Sequence, residues 1–255
     1  MKVVILAGGL GTRLIEKTNI KPKPMVEIGD MPILFHIMKT YSHYGFSDFV
    51  ICLGYKGEII IDYFKSFFKQ KNKVEIHENN ELTKIISHND NWNLSLVDTG
   101  ENTMTAGRIL KVKEYINNER FFLTYGDGVS DVNIKTLLNF HLSNKTACTL
   151  TAVKPEPRFG ALDLEDNLVT NFREKDKVDV DWINGGFFVC EPSVFDFIKN
   201  GDNEVWEENP LQSLSNSNNL AAFKHNGFWK PMDTLKDSIE LNKMWNNNNA
   251  KWKVW

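Results

Sequence analysis

Short apolar runs punctuate the first part of the chain: "KVVILA", "DFVICLG", "LSLVDTG", "FFLTYGD" and "TACTLTAV". None shows the strict alternation of a half-exposed strand, and each is bounded by turn residues, which is the pattern of strands buried on both faces. Between them the spacing changes to that of helices. Ile33, Leu34, Ile37, Met38 and Tyr41 recur on one helical face, as do Ile60, Phe64, Phe67 and Phe68. Strand and helix thus alternate, which predicts an α/β fold built on a mostly parallel, doubly wound sheet with helices on both faces. Such sheets bind ligands beyond the carboxyl ends of their strands.

The texture changes after about residue 155. "RFGALDLEDNLVTNFREK" reads as two short strands around a turn at Glu165, Asp166 and Asn167, a hairpin that marks a small β-rich insert over about residues 155–190. "INGGFFVCEP" predicts a further strand, and "LAAFKHNGFWKPMDT" one or two more. A C-terminal helix follows with Thr234 as its N-cap, while the segment holding Trp252 and Trp255 has no helical pattern. The expectation is one domain over residues 1–255.

Composition narrows the function. A chain of 255 residues with 42% hydrophobic content buries a substantial core. Its net charge of -3 gives no basic field for nucleic acid or an anionic membrane. Cys52, Cys148 and Cys190 sit in apolar runs without zinc-site spacing, as core thiols do in a reducing compartment, and the cytoplasm is the expected location. The N-terminal apolar run breaks at Gly8, too early for a signal peptide or a membrane span.

Candidate chemistry starts in "ILAGGLGTRL". Gly8, Gly9 and Gly11 follow the first strand and allow backbone N–H groups to converge on an anion. Three glycines also suit a plain tight turn. Thr12 adds a hydroxyl, and Arg13 adds a permanent cation whose fork fits phosphate, which favours anion binding. The spacing fits neither the Walker loop nor the dinucleotide fingerprint. In "KPKPM" the prolines hold Lys21 and Lys23 in an extended backbone, close enough in sequence for one of them to return to the same phosphates. Asp127, between glycines at the end of "FFLTYGDG", is a candidate Mg²⁺ ligand. Asp233 in "FWKPMDT" is equally readable as a second ligand or as an acid at the start of the last helix.

"LAGGLGTRL" followed by "KPKPM" resembles the opening signature of the sugar-phosphate nucleotidyltransferases, a family with a Rossmann-like sheet. "VDTGENTMTAGRI", "TYGDGVSDVNI", "RFGALDL", "INGGFFV" and "GFWKPMDT" are similar, in the same order and over essentially the whole chain, to the bacterial branch that transfers a cytidylyl group. The resemblance implies CTP and α-D-glucose 1-phosphate as substrates, CDP-glucose and pyrophosphate as products, and Mg²⁺ as cofactor. It places this step on the way to 3,6-dideoxyhexoses of surface polysaccharide such as the O-antigen of lipopolysaccharide. It further implies a homo-oligomer, a hexamer, with neither nucleic acid nor membrane as partner.

Residue by residue, the resemblance assigns Lys23 and Arg13 to catalysis and Asp127 and Asp233 to the metal. Leu6, Ala7, Gly8, Gly9, Gly11, Thr12, Arg13, Thr103 and Arg108 would bind the nucleotide. Gly126, Glu174, Lys175, Asn184 and Gly185 would bind the sugar phosphate. Asp176 stands where the family carries proline, so the acceptor loop departs from the pattern. Two rival readings are a transferase using another pyrimidine nucleotide or acceptor, and a silent sugar-nucleotide-binding module. The latter would be expected to lose its charged residues, yet Arg13, Lys23, Asp127 and Asp233 are all present.

Overall fold

In a computed structural model, residues 1–69, 74–79, 81–87, 91–156, 161–173 and 181–255 are described. The apolar runs become strands. In chain order the elements begin with β1 (Val3–Leu6), α1 (Ile15–Thr18), β2 (Glu27–Ile28), β3 (Met31–Pro32), α2 (Ile33–His43), β4 (Asp48–Leu53) and α3 (Gly57–Lys69). Then come β5 (Val74–Glu78), β6 (Leu82–Ser87), β7 (Trp92–Asp98), α4 (Thr105–Lys111), β8 (Phe121–Tyr125), β9 (Gly128–Ser130), α5 (Ile134–Asn144) and β10 (Cys148–Val153). The remainder comprises β11 (Ala161–Glu165), β12 (Leu168–Arg173), β13 (Ile183–Cys190), α6 (Asn209–Asn216), β14 (Leu220–His225), β15 (Trp229–Pro231) and α7 (Leu235–Asn246).

Nine of these strands form one sheet in the order β14-β10-β13-β8-β1-β4-β7-β6-β5. Their pairings leave β13 and β6 running against the other seven, so the sheet is mostly parallel, as the alternation predicted. The antiparallel β5–β6 edge was not anticipated. Its alternating residues, such as Thr83, Ile85 and Ser87 inward against exposed Lys84, are the mark of a strand with one wet face.

Within each central strand, successive side chains enter opposite cores. Val3, Ile5, Phe49, Ile51 and Phe122 face the layer that contains Ile37 of α2, Phe64 of α3 and Leu241 of α7. Val4, Leu6, Val50, Cys52 and Leu123 face the layer that contains Ile109 of α4 and Leu214 of α6. Two covered faces explain why the strands lack a polar side. The three thiols are all buried and free, and Cys148 and Cys190, distant in sequence, lie 3.8 Å apart across β10 and β13.

The hairpin expected after residue 155 forms from β11 and β12, turning at Asp166 with φ 51°. Of the two late strands, β14 extends the main sheet and β15 pairs with β9. Helix α7 opens on a capping box in which the Thr234 side chain accepts from the Asp237 N–H while the Asp237 carboxylate accepts from the Thr234 N–H. The non-helical C-terminus packs inward: Trp252 is fully buried and its indole N–H donates to Nδ1 of His36, 3.3 Å away. Among the described residues no helix is long and apolar enough to cross a membrane.

Candidate active site

Strands β8, β1 and β4 lie side by side with Leu6 in register with both Tyr125 and Cys52, so their loops leave the sheet together at its carboxyl edge. The chain from β1 passes through Ala7 to Gly11. Gly11, at φ 64°, turns it into a single 3-10 turn over Thr12–Leu14. Among the described residues the N–H groups of Gly8, Gly9 and Gly11 have no protein acceptor, and all three residues line a cavity of about 270 Å³.

Arg108 supports this loop from behind. It is only 4% exposed, and its guanidinium donates to the carbonyls of Gly8 (3.0 Å), Leu53 (2.8 Å), Gly100 (2.7 Å) and Glu101 (3.1 Å) and to the Thr99 hydroxyl (2.7 Å). A Cβ on Gly8 would fall 2.3 Å from Arg108 Nη1, so this close packing requires glycine. Arg108 also lines the cavity that the glycine loop borders, where the expected nucleotide contact would lie. With its terminal nitrogens engaged by four carbonyls and a hydroxyl, it is a buried cation that braces the loop. Thr103 is similarly engaged: its hydroxyl accepts from Lys111 Nζ (3.1 Å) and donates to Asp202 (3.4 Å).

Lys23 enters from the proline-flanked turn. Pro22 at φ -65° precedes a 3-10 turn over Lys23–Met25, and the ammonium reaches Asp127 Oδ2 at 2.7 Å and Asp233 Oδ1 at 2.5 Å. Lys21, by contrast, pairs with Glu27 at the surface. Burial is the strongest single influence on the Lys23 pKa and lowers it, but the charges and hydrogen bonds of Asp127 and Asp233 outweigh it and leave the net value raised. Arg13 stands at the rim, 79% exposed and 3.7 Å from Asp233. Thr12 is exposed beside it.

The two acids come from opposite parts of the sequence. Asp127 follows β8, and its carbonyl accepts from Met232 N–H (2.8 Å), tying it to the segment that carries Asp233. Asp233 immediately precedes α7, but the acid of that helix's first turn is Asp237, and the Asp233 carboxylate accepts from Lys23 instead. Both carboxylates remain partly exposed, at 31% and 25%. Two hard oxygen donors, already gathered about a cation and open on the cavity side, suit a divalent ion that completes its shell with phosphate and water. Among the described residues no cluster of three metal-ligating side chains exists, so such an ion would depend on its substrate for the rest of its shell.

A second cavity of about 240 Å³ shares Asp127 and Tyr125 with the first and is bounded by Asn184, Gly185, Trp229 and Asp233. The structure thus places Asn184 and Gly185 in one compartment, but sets Gly126 in the other, beside Leu6 and Pro24. Glu174 and Lys175 lie outside the described residues. Tyr125 and Trp229 were missed: Trp229 lines the second cavity and donates its indole N–H to the Gly185 carbonyl (2.7 Å). A polar aromatic closing an apolar strand just before Gly-Asp was the available signal for Tyr125. A larger groove, about 960 Å³, lies between α1 and α7, away from the glycine loop and both acids, so volume alone does not locate the chemistry.

An anion-cradling glycine loop, a fixed lysine and paired carboxylates at the carboxyl edge of such a sheet are the equipment of an enzyme that moves phosphoryl-linked groups. The pattern of the nucleotidyl transferase family matches residues 2–248, and the chain belongs to that family. Within it, the chain is 51% identical to glucose-1-phosphate cytidylyltransferases of Salmonella typhi and Salmonella typhimurium, with 100% of this chain and of each relative covered. The fold is also that of a solved UDP-glucose pyrophosphorylase complexed with UDP-glucose, at a TM-score of 0.69 and 16% identity, covering 97% of this chain and 98% of that one.

Proposed function

We propose that this enzyme transfers CMP from CTP to α-D-glucose 1-phosphate, giving CDP-glucose and pyrophosphate. The observation that carries a two-substrate transfer is the meeting of two cavities at Asp127, with Lys23 and Asp233 at the junction. The identity of both substrates rests on the full-length likeness to the Salmonella enzymes.

An oxygen of the sugar phosphate attacks the α-phosphorus of CTP; a new P–O bond forms as the bond from that phosphorus to the β-phosphate bridge breaks and pyrophosphate leaves. No protein nucleophile is needed, so the chain's work is to align two anions and to balance their charge. The N–H groups of Gly8, Gly9 and Gly11 bind the triphosphate, with Thr12 and Arg13 at its outer end, where Arg13 steadies the departing pyrophosphate. Lys23 neutralises the α-phosphate, and its raised pKa keeps it charged at neutral pH. Thr103 shapes the nucleotide wall. Asn184 and Gly185, with Glu174 and Lys175, hold the sugar phosphate. Asp127 and Asp233 would hold Mg²⁺, which when bound screens the phosphate charges.

In this reading the chain is one domain, works in the cytoplasm as a homo-oligomer, a hexamer, and supplies CDP-glucose for dideoxyhexoses of surface polysaccharide. The test is pyrophosphate release with glucose 1-phosphate and Mg²⁺, comparing CTP, TTP, UTP, ATP and GTP. Release confined to CTP supports the proposal. Preference for another nucleotide, or no release with any, overturns it.

A further inference from the structure

Tyr125 is the last residue of β8 and, like Asp127, lines both cavities. Its ring is clamped. On one side it meets Phe188 edge-on, centroids 5.9 Å apart at 90°; on another it lies against Gly186, where a Cβ would come within 2.4 Å of ring carbon Cδ2. With the ring so held, the hydroxyl has a fixed place.

That hydroxyl joins the two walls. It donates to the Glu207 carboxylate and accepts from Asn184 Nδ2 at 3.1 Å. The other oxygen of Glu207 accepts from the Thr105 hydroxyl (2.7 Å), and Thr105 opens α4 in the wall of the cavity that holds the glycine loop. On the far side, Asn184 Oδ1 accepts from the Gly186 N–H (2.9 Å), which fixes the amide's orientation in the second cavity. One continuous chain of hydrogen bonds therefore runs from Thr105 through Glu207, Tyr125 and Asn184 to Gly186. Burial first, and the neighbouring Glu207 charge second, push the phenol pKa well up, so it remains a donor throughout the working pH range.

We propose that Tyr125 is a positioning residue that sets the separation of nucleotide and acceptor by tying the walls of the two cavities to one another. This rests on the transferase reading given above. An in-line transfer between two bound anions depends steeply on their spacing, and a misplacement of about 1 Å costs on the order of 100-fold in rate. Tyr125 acts through Asn184 and Thr105, and its role differs from phosphate binding by the loop or charge balance by Lys23.

Tyr125→Phe in the full chain removes only the hydroxyl and tests this. Expected are an unchanged melting temperature and CTP affinity in the absence of acceptor, a kcat lower by about 10- to 100-fold, and a raised KM for glucose 1-phosphate. Glu207→Ala, an exposed change at the other end of the bond, should give the same kinetic split. Glu207→Gln, which keeps an oxygen to accept from the phenol, should retain most of the rate. The double variant Tyr125→Phe with Glu207→Ala should be no worse than either single one, because both break the same link. Wild-type kinetics in both single variants overturns the proposal, as does a loss of melting temperature or CTP binding that parallels the loss of rate, the mark of a merely structural role. If the wild-type enzyme itself fails with CTP and glucose 1-phosphate, it is the transferase reading that falls.

Discussion

The ammonium of Lys23 lies 2.7 Å from the carboxylate of Asp127, although 104 positions separate them in the chain. The same ammonium also bridges to Asp233, so the protein's own cation occupies the space between two acids that would otherwise repel. Lys23→Ala is expected to lower kcat by at least about 100-fold, the scale of losing one preorganised charge that faces the transition state. Steady-state pyrophosphate release measures it, and near-normal turnover would remove Lys23 from the mechanism. Because the folded-state pKa of Lys23 is raised, its stabilising pairing is fully present below the ordinary lysine pKa and is lost only as the pH rises through the folded value. In the pH range of ordinary assays the wild-type enzyme should show no stability loss from this group.

Asp127→Asn leaves the volume of the side chain almost unchanged but removes one of two negative charges. Magnesium-dependent turnover should disappear while urea unfolding stays cooperative. An Mg²⁺ titration of activity checks the assignment; wild-type rate with unaltered metal dependence would reject Asp127 as a ligand.

Arg108→Met should unfold more easily than any variant at the rim of the site. It removes every bond of the guanidinium at once and takes the donor from the carbonyls of Gly100 and Glu101, while those of Gly8 and Leu53 keep the N–H groups of Tyr55 and Thr99, and a cost of about 2 kcal/mol is expected. Arg108→Lys should not restore stability, since one ammonium cannot span partners that a planar fork reaches on both sides of the loop. Urea denaturation of both variants provides the comparison. Wild-type stability in Arg108→Met would remove the bracing role from this residue.

His36 provides an acid-sensitive point remote from the chemistry. It is fully buried, its Nε2–H donates to the Ile28 carbonyl (2.9 Å), and its Nδ1 accepts from Trp252, so the neutral ring is the form that fits. Burial lowers its pKa from 6.5 to about 4. The unfolded chain therefore takes up a proton first, and stability should fall as the pH drops from 6.5 toward 4, by about 3 kcal/mol in total. Denaturation at pH 7 and pH 5 should show a shallower decline in His36→Gln than in the wild type; equal slopes would exclude this histidine as the cause.

Much of the fold was legible because its determinants are local. Continuous apolar runs mean two covered faces, and helical spacing means one, so strands β1, β4, β7, β8 and β10 and helices α2 and α3 could be read directly from "KVVILA", "DFVICLG" and the like. The cap at Thr234 was equally readable, because a capping box is contained in a few residues. The direction of β13 was not. An apolar run such as "GFFVC" carries no mark of polarity, and its antiparallel insertion between β8 and β10 follows from the path of the preceding chain.

The site divides in the same way. By itself the sequence determined the glycine loop, the proline-held lysine and the acids at element ends, because each is a short pattern whose chemistry is carried by neighbours in the chain. Only the tertiary structure decided which cation meets the acids and which is buried. Lys23 and Arg108 are both cations in suggestive motifs; desolvation and five protein acceptors make one a scaffold, while the register of β1 beside β8 brings the other to Asp127 and Asp233. Tyr125 gained its place beside both cavities by the same means, for hydrogen bonds across 59 and 82 positions exist only once the sheet has closed those distances.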